Sequence, residues 1–295
     1  MRGKIAGLMA AGLLATFVFA CGTTAASQLK PEAIASFDRY IQSRESRMDG
    51  TVASESNFLW IDGFAQPDRI RANAELRGGR IVVDRSETGD SPDGIPIRGG
   101  LIHDWIGIIF IPSVSLIQTL ALVQDYDHAA QNYSPEVERS RLLSRSGDNF
   151  RVFLRLKRTQ VLTTVFNTEY DIRYVTVDSN RTYSRSHSTR IAEVADPDTS
   201  HEHEKPVGDD NGFLWRLYSY WRFEQADGGV YIQCEAISLT RDIPSGFAWM
   251  IRPFIRDIPN KSLTSALEES RKGLAPEIRG ASAFDKPRES DGPLR

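Results

Sequence analysis

Cysteine is almost missing from this chain: its 295 residues include Cys21, Cys234 and no other. If N-terminal processing removes or modifies Cys21, Cys234 is left alone, so no internal disulfide is available and core packing must stabilise the fold. An electrostatic footprint for nucleic acid is also lacking. The formal net charge is -3, and the arginines, which strongly outnumber the lysines, are scattered rather than gathered into a stripe. No Ser-His-Asp pattern, nucleophile elbow, phosphate loop or dinucleotide glycine fingerprint occurs, no cofactor is implied, and no segment repeats. What is present, 40% hydrophobic residues over this length, suits a globule with a substantial core.

The first residues have the layout of an export leader. Arg2 and Lys4 precede an apolar run, residues 5–19, that is short for a membrane span, and Ala20, Cys21, Gly22 and Thr24-Ala25-Ala26 supply small residues for cleavage. Two cuts fit: after Ala26, or before Cys21 with a lipid attached, because Val18-Phe19-Ala20-Cys21 resembles a bacterial lipobox although Phe19 is bulky for its place. The expected location is the periplasm or the exterior, and the second route would tie the protein to the envelope membrane through Cys21.

Four segments follow from composition: a leader over 1–26, an N-terminal extension over 27–98, a main domain over 99–275, and a charged tail over 276–295 expected to be disordered. In the extension, Ile34, Phe37 and Ile41 recur at helical spacing after Pro31, predicting a helix that Asp49-Gly50 ends. Residues 69–76 and 80–85, separated by Gly78-Gly79, read as a hairpin. The main domain opens with residues 101–111, nearly continuously apolar and β-branched, as in a strand covered on both faces. Leu116, Leu120 and Val123 then mark one long helix. Strands are expected over 137–146, 150–158, 161–177, 182–194, 213–224 and 229–240, the last two joined by Ala226-Asp227-Gly228-Gly229, a strong hairpin signal. Leu263, Leu267 and Leu274 form the buried stripe of a closing helix.

Three stretches carry a resemblance to a known family: Val123-Gln124-Asp125-Tyr126-Asp127 leading to Tyr133-Ser134-Pro135-Glu136-Val137; Ser219-Tyr220-Trp221-Arg222-Phe223; and Gly228-Gly229-Val230-Tyr231. In this order of elements the chain resembles the START-like, or SRPBCC, superfamily, as a secreted bacterial member. The resemblance implies an α+β helix-grip fold: a curved antiparallel sheet of about seven strands wrapped around a long C-terminal helix, here with a helix-plus-hairpin extension. It further implies a cavity for an apolar small molecule or lipid, and in some branches cyclase or hydroxylase-linked catalysis; the alternative function is a cyclase-like or hydrolase-like small-molecule enzyme using the same cavity.

Alternation nominates the cavity wall. Trp215, Leu217, Ser219, Trp221 and Phe223 share one face, and Cys234, Ala236 and Ser238 form a small-residue set on the next strand. His103 and Asp104 interrupt an apolar strand, so either can supply a polar contact. The expected ligand-binding residues are therefore His103, Asp104, Trp215, Ser219, Trp221, Cys234 and Ala236. Cys234 reads more simply as a buried small hydrophobe than as a nucleophile. His201-Glu202-His203-Glu204 has metal-ligand chemistry, but its acidic, turn-rich surroundings favour a solvated loop, and no metal site is assigned.

Overall fold

The computed structural model describes residues 27–52, 57–86, 94–159, 163–242 and 258–274. The leader and the charged tail lie outside the described residues. The chain begins with β1 (Ser27–Gln28), α1 (Pro31–Val52), a 3-10 turn (Trp60–Gly63) and α2 (Gln66–Arg77). Next come β2 (Val82–Arg85), β3 (Ile95–Ile97), β4 (Gly100–Pro112), α3 (Leu116–Val123) and α4 (Ala129–Asn132). The long meander follows: β5 (Val137–Ser146), β6 (Asn149–Thr159), β7 (Thr163–Thr176) and β8 (Arg181–Ala195). Two short strands, β9 (His203–Glu204) and β10 (Asp209–Asp210), lead to β11 (Arg216–Ala226) and β12 (Gly229–Thr240). Residues 258–274 are helical and are called α5. Among the described residues no helix is long and apolar enough to cross a membrane.

The principal sheet runs β2-β4-β12-β11-β8-β7-β6-β5, with β3 on β4 and β9 on β8. Its seven long strands, β4 to β8 with β11 and β12, are antiparallel throughout. Leu263, Leu267 and Leu274 of α5 pack on one face of it, against Ile109, Ile111, Phe223, Val230, Ile232 and Cys234. A long sheet in this order gripping a C-terminal helix is the helix-grip arrangement.

The opposite face is closed by the N-terminal extension. Phe37, Ile41 and Met48 of α1 meet Ile102, Trp215, Tyr220, Ile237 and Leu239, while Phe58, Ile61, Ala72 and Leu76 meet Ile108, Phe110 and Tyr231. Each fully buried side chain of this kind contributes about 1.5–3 kcal/mol. This second cover explains why β4 is apolar on both parities: one parity faces α5 and the other faces α1 and α2.

Three sequence expectations are corrected. The segment before Gly78-Gly79 is α2, not the first arm of a hairpin; Pro67 sits in its first turn, and the backbone N–H of Gly78 closes it on Ala74 and Leu76 carbonyls. Its supposed partner, β2, pairs with β4 instead. The helix after Pro112 is two short pieces, α3 and α4, parted at Gln124–His128. Finally, α1 continues through Asp49-Gly50 to Val52, where Met48 is buried and Thr51 donates to the Met48 carbonyl at 2.9 Å.

Candidate functional site

Register fixes which side chains share the inner, α5-facing surface. Across the sheet, Trp105 (β4) pairs with Ala236 (β12), Ala236 with Ser219 (β11), and Ser219 with Ser186 (β8). One row along, Gly107, Cys234, Trp221, Ser184 and Tyr174 lie in line. The side chains at these positions alternate between rings and very small groups. α5 crosses at Gly107, where a Cβ would stand 2.8 Å from Leu267 Cδ1 and 3.3 Å from Leu263 Cδ2. Beside that crossing, Trp105, Leu217, Ser219, Trp221 and Ala236 keep accessible surface although β11 and β12 are interior strands. Residues on the inner face of a central strand are normally covered. These five inner-face side chains are half-buried rather than buried.

The expected site residues divide accordingly. Ser219, Trp221, Cys234 and Ala236 share this face, as two adjacent register pairs. His103 has the same parity and pairs with Ser238, but its Nε2 lies 3.1 Å from Thr240 Oγ1 at the end of the sheet. Asp104 and Trp215 do not belong with them. Trp215 precedes the first residue of β11, escapes the strand alternation and sits 3% exposed with the α1 cluster, its Nε1 donating to Asp210 Oδ1 at 3.0 Å. Asp104 has the outer parity and lies under α1.

There Asp104 joins a buried ionic cluster that no linear pattern announces. Asp104 and Glu235, each 4% exposed, flank the Arg44 guanidinium of α1: Nε is 3.3 Å from Asp104 Oδ2, and Nη2 bonds Glu235 Oε1. Tyr40 donates to Asp104 Oδ2 at 2.6 Å, and Ser86 to Glu235 Oε1 at 3.1 Å. Burial opposes the Arg44 charge, but Glu235 and Asp104 outweigh it and hold the guanidinium above its ordinary pKa. Burial, and then Glu235 beside it, pushes the Asp104 carboxyl well above the usual range. A second anchor joins α1 to β8 and β11: Glu45 accepts from His187 Nε2 at 2.8 Å and from Tyr220 Oη at 2.9 Å. The hydrogen bond from His187 lowers the Glu45 pKa against the effect of burial. These groups dock the extension and lie on the opposite side of the sheet from α5.

The deeper interior is tyrosine-rich. Tyr126 and Tyr174 hydroxyls lie 2.9 Å apart, and Tyr133 Oη is 3.1 Å from Ser270 Oγ on α5. Burial raises all three phenols, and it also pushes the Cys234 thiol well above its ordinary value. They are therefore neutral hydrogen-bonding groups at physiological pH, and Cys234 is an uncharged core residue rather than a thiolate. The carboxylates of the His201–Glu204 loop are engaged by arginines: Glu202 takes Arg155, and Glu204 takes Arg190.

By sequence the chain matches no protein-family model and no curated protein. Its fold is START-like, as the strand order and gripped helix define it, and solved structures of that kind are similar to it. A STAR-related lipid transfer protein from Xanthomonas axonopodis is 16% identical, with a TM-score of 0.44, over 65% of this chain and 93% of that one. An aromatase/cyclase from Streptomyces is 11% identical at a TM-score of 0.41, over 61% of this chain and 98% of that one. Human STARD10 is 9% identical at a TM-score of 0.40, over 79% and 89%. At such identities and TM-scores the likeness says nothing of what this chain binds.

Proposed function

We propose that this protein is an exported binder or carrier of an apolar, lipid-like small molecule, held in a hollow between the sheet and α5. The observation that carries the reading is the accessible inner surface of Trp105, Leu217, Ser219, Trp221 and Ala236 in mid-sheet, beside the point where α5 crosses. An apolar ligand covering such surface gains about 25 cal/mol per Å² removed from water. The tryptophan and leucine walls supply most of that area, and the Ser219 hydroxyl supplies a single polar contact. The leader-like pattern of residues 1–26 is what supports export, and a lipid on Cys21 would hold the carrier at the envelope.

The rival reading, a cyclase-like or hydrolase-like enzyme in the same space, needs a base facing the ligand. The sequence offers His103, Asp104, Glu169 and Tyr220 for that role. Asp104 and Tyr220 face α1, Glu169 pairs with Arg151 at 3.0 Å on the outer face, and His103 is at the sheet end on Thr240. The carrier reading is therefore preferred.

Native mass spectrometry of protein purified from its own host, with and without prior organic extraction, tests this. A small-molecule mass increment that extraction removes is expected. Protein that is empty in both samples, and that binds no alkane-chain probe, would overturn the reading. Intact mass of the mature protein reports the cleavage site and any lipid on Cys21 in the same experiment.

A further inference from the structure

We propose that Asp210 is the seat of a new chain terminus: cleavage after Ala26 frees the Ser27 nitrogen as an ammonium, which pairs with the buried Asp210 carboxylate and ties the extension to the sheet. This pairing rests on the export reading of the leader and is independent of what the interior binds.

Its basis is a carboxylate left half-satisfied at the start of the extension. Asp210, in β10, is 2% exposed. Its Oδ1 accepts from Gly212 N–H at 2.6 Å and from Trp215 Nε1 at 3.0 Å, whereas its Oδ2 is buried and has no hydrogen-bond partner among the described residues. Burial raises the Asp210 pKa above its ordinary value and Glu193 adds to the rise, against the Gly212 N–H, the Trp215 indole and Lys205. Lys205 does not supply the missing cation, because its ammonium donates to Glu193, itself 4% exposed, at 2.7 Å. Two buried carboxyls thus have one lysine between them, and buried charges are normally paired.

The opposed strand supplies the position. β1 pairs with β10 antiparallel, Ser27 against Asp210 and Gln28 against Asp209, and Leu29 N–H continues the contact to Gly208 O at 2.7 Å. Opposed Cα atoms in such a pair stand about 4.5–5.5 Å apart, and each backbone nitrogen is bonded to its own Cα, so a terminus at Ser27 comes within ion-pair reach of the Asp210 carboxylate. With Ala26 attached, that nitrogen is a neutral amide with one proton. Hydrolysis of the Ala26–Ser27 peptide bond leaves a carboxylate on Ala26 and gives Ser27 an ammonium, the water supplying the oxygen to one and the protons to the other. Cleavage before Cys21 keeps residues 21–26 in place, and the Ser27 nitrogen stays an amide.

The test compares three chains in chemical denaturation: one that starts at Ser27, the same chain acetylated at the Ser27 nitrogen, and one that starts at Ala25. The free Ser27 ammonium is expected to lower the unfolding equilibrium constant about tenfold or more relative to the other two, the worth of a hydrogen bond to a charged group. In Asp210→Asn the three chains should unfold alike. If that variant fails to fold, acylation of the terminal amine by an N-hydroxysuccinimide ester keeps the test open. The Ser27 terminus should react about tenfold more slowly than the Ala25 terminus, because a paired ammonium gives up its proton less readily. Equal stabilities or equal acylation rates would refute the pairing, whatever the host does to the leader. N-terminal sequencing of protein from its own host reads the processing separately. Ser27 as first residue is expected; any other start would overturn the proposal and leave the carrier reading standing.

Discussion

Along β12, alternate residues report on two differently built faces. Gln233, Glu235, Ile237 and Leu239 meet the N-terminal extension, where Gln233 Oε1 accepts from Trp60 N–H at 2.6 Å, Glu235 holds Arg44, and the two aliphatic residues pack against α1. Val230, Ile232 and Cys234 pack toward α5, but Ala236, two residues on, keeps accessible surface beside Trp105 and Ser219. On β12 the outer residues are thus buried and tied to the extension by charge, whereas on the inner side Ala236 is only half-buried. The extension, which the helix-grip core does not require, covers the outer face of the sheet in this chain.

Substitutions on the two faces should therefore separate stability from binding. The largest effect is expected at Arg44→Met, which leaves Asp104 and Glu235 buried together without their cation; a loss of about 3–5 kcal/mol in chemical denaturation is predicted. Next comes Gly107→Val, whose side chain would enter the space of Leu267 and Leu263. It should cost about 1–3 kcal/mol through overpacking and weaken ligand binding by displacing α5. Ala236→Phe should behave oppositely to Arg44→Met: stability changes by less than about 1.5 kcal/mol because the ring enters available space, yet apolar-probe binding is lost.

The smallest effect is one of pH, and it has two signs within one interface. The Glu45 carboxyl is lowered in the folded state, so its stabilisation is present above its ordinary value of 4.5 and disappears as pH falls through the folded value. The Asp104 carboxyl is raised, so the folded state holds its proton more tightly. Its contribution favours folding at low pH and is lost as pH rises from 3.8 through the folded value. Stability measured against pH should accordingly lose its acid-side decline in part in Glu45→Gln and steepen that decline in Asp104→Asn. Identical pH profiles for wild type and both variants would contradict the assignment.

Much of this architecture is legible in the residues. The strands of the core announce themselves through period-two alternation and turn residues, and the Leu263, Leu267, Leu274 stripe marks the gripped helix. α2 is hidden because it buries only Ala72 and Leu76, too narrow a stripe to set a helical period, and because Gly78-Gly79 imitates a hairpin turn while serving as a helix end. Parity within a strand correctly grouped Ser219 with Trp221 and Cys234 with Ala236. It failed for Trp215, which lies just before the strand where alternation no longer holds. For Asp104, parity could not say which face was which, since a strand covered on both sides carries apolar residues on each. Arg44 and Glu235 are 191 residues apart, and their meeting depends on α1 docking, which no local pattern encodes. Trp105 escaped notice for the same reason as Asp104.

The comparison between the faces is tested most directly by saturation binding of N-phenylnaphthylamine to wild type and Ala236→Phe, with unfolding of both followed in parallel. A saturable site in the wild type that vanishes in the variant, at nearly unchanged stability, is the predicted result. Equal binding by the two proteins, or a variant as destabilised as Arg44→Met, would show that the inner face is as fully packed as the outer one.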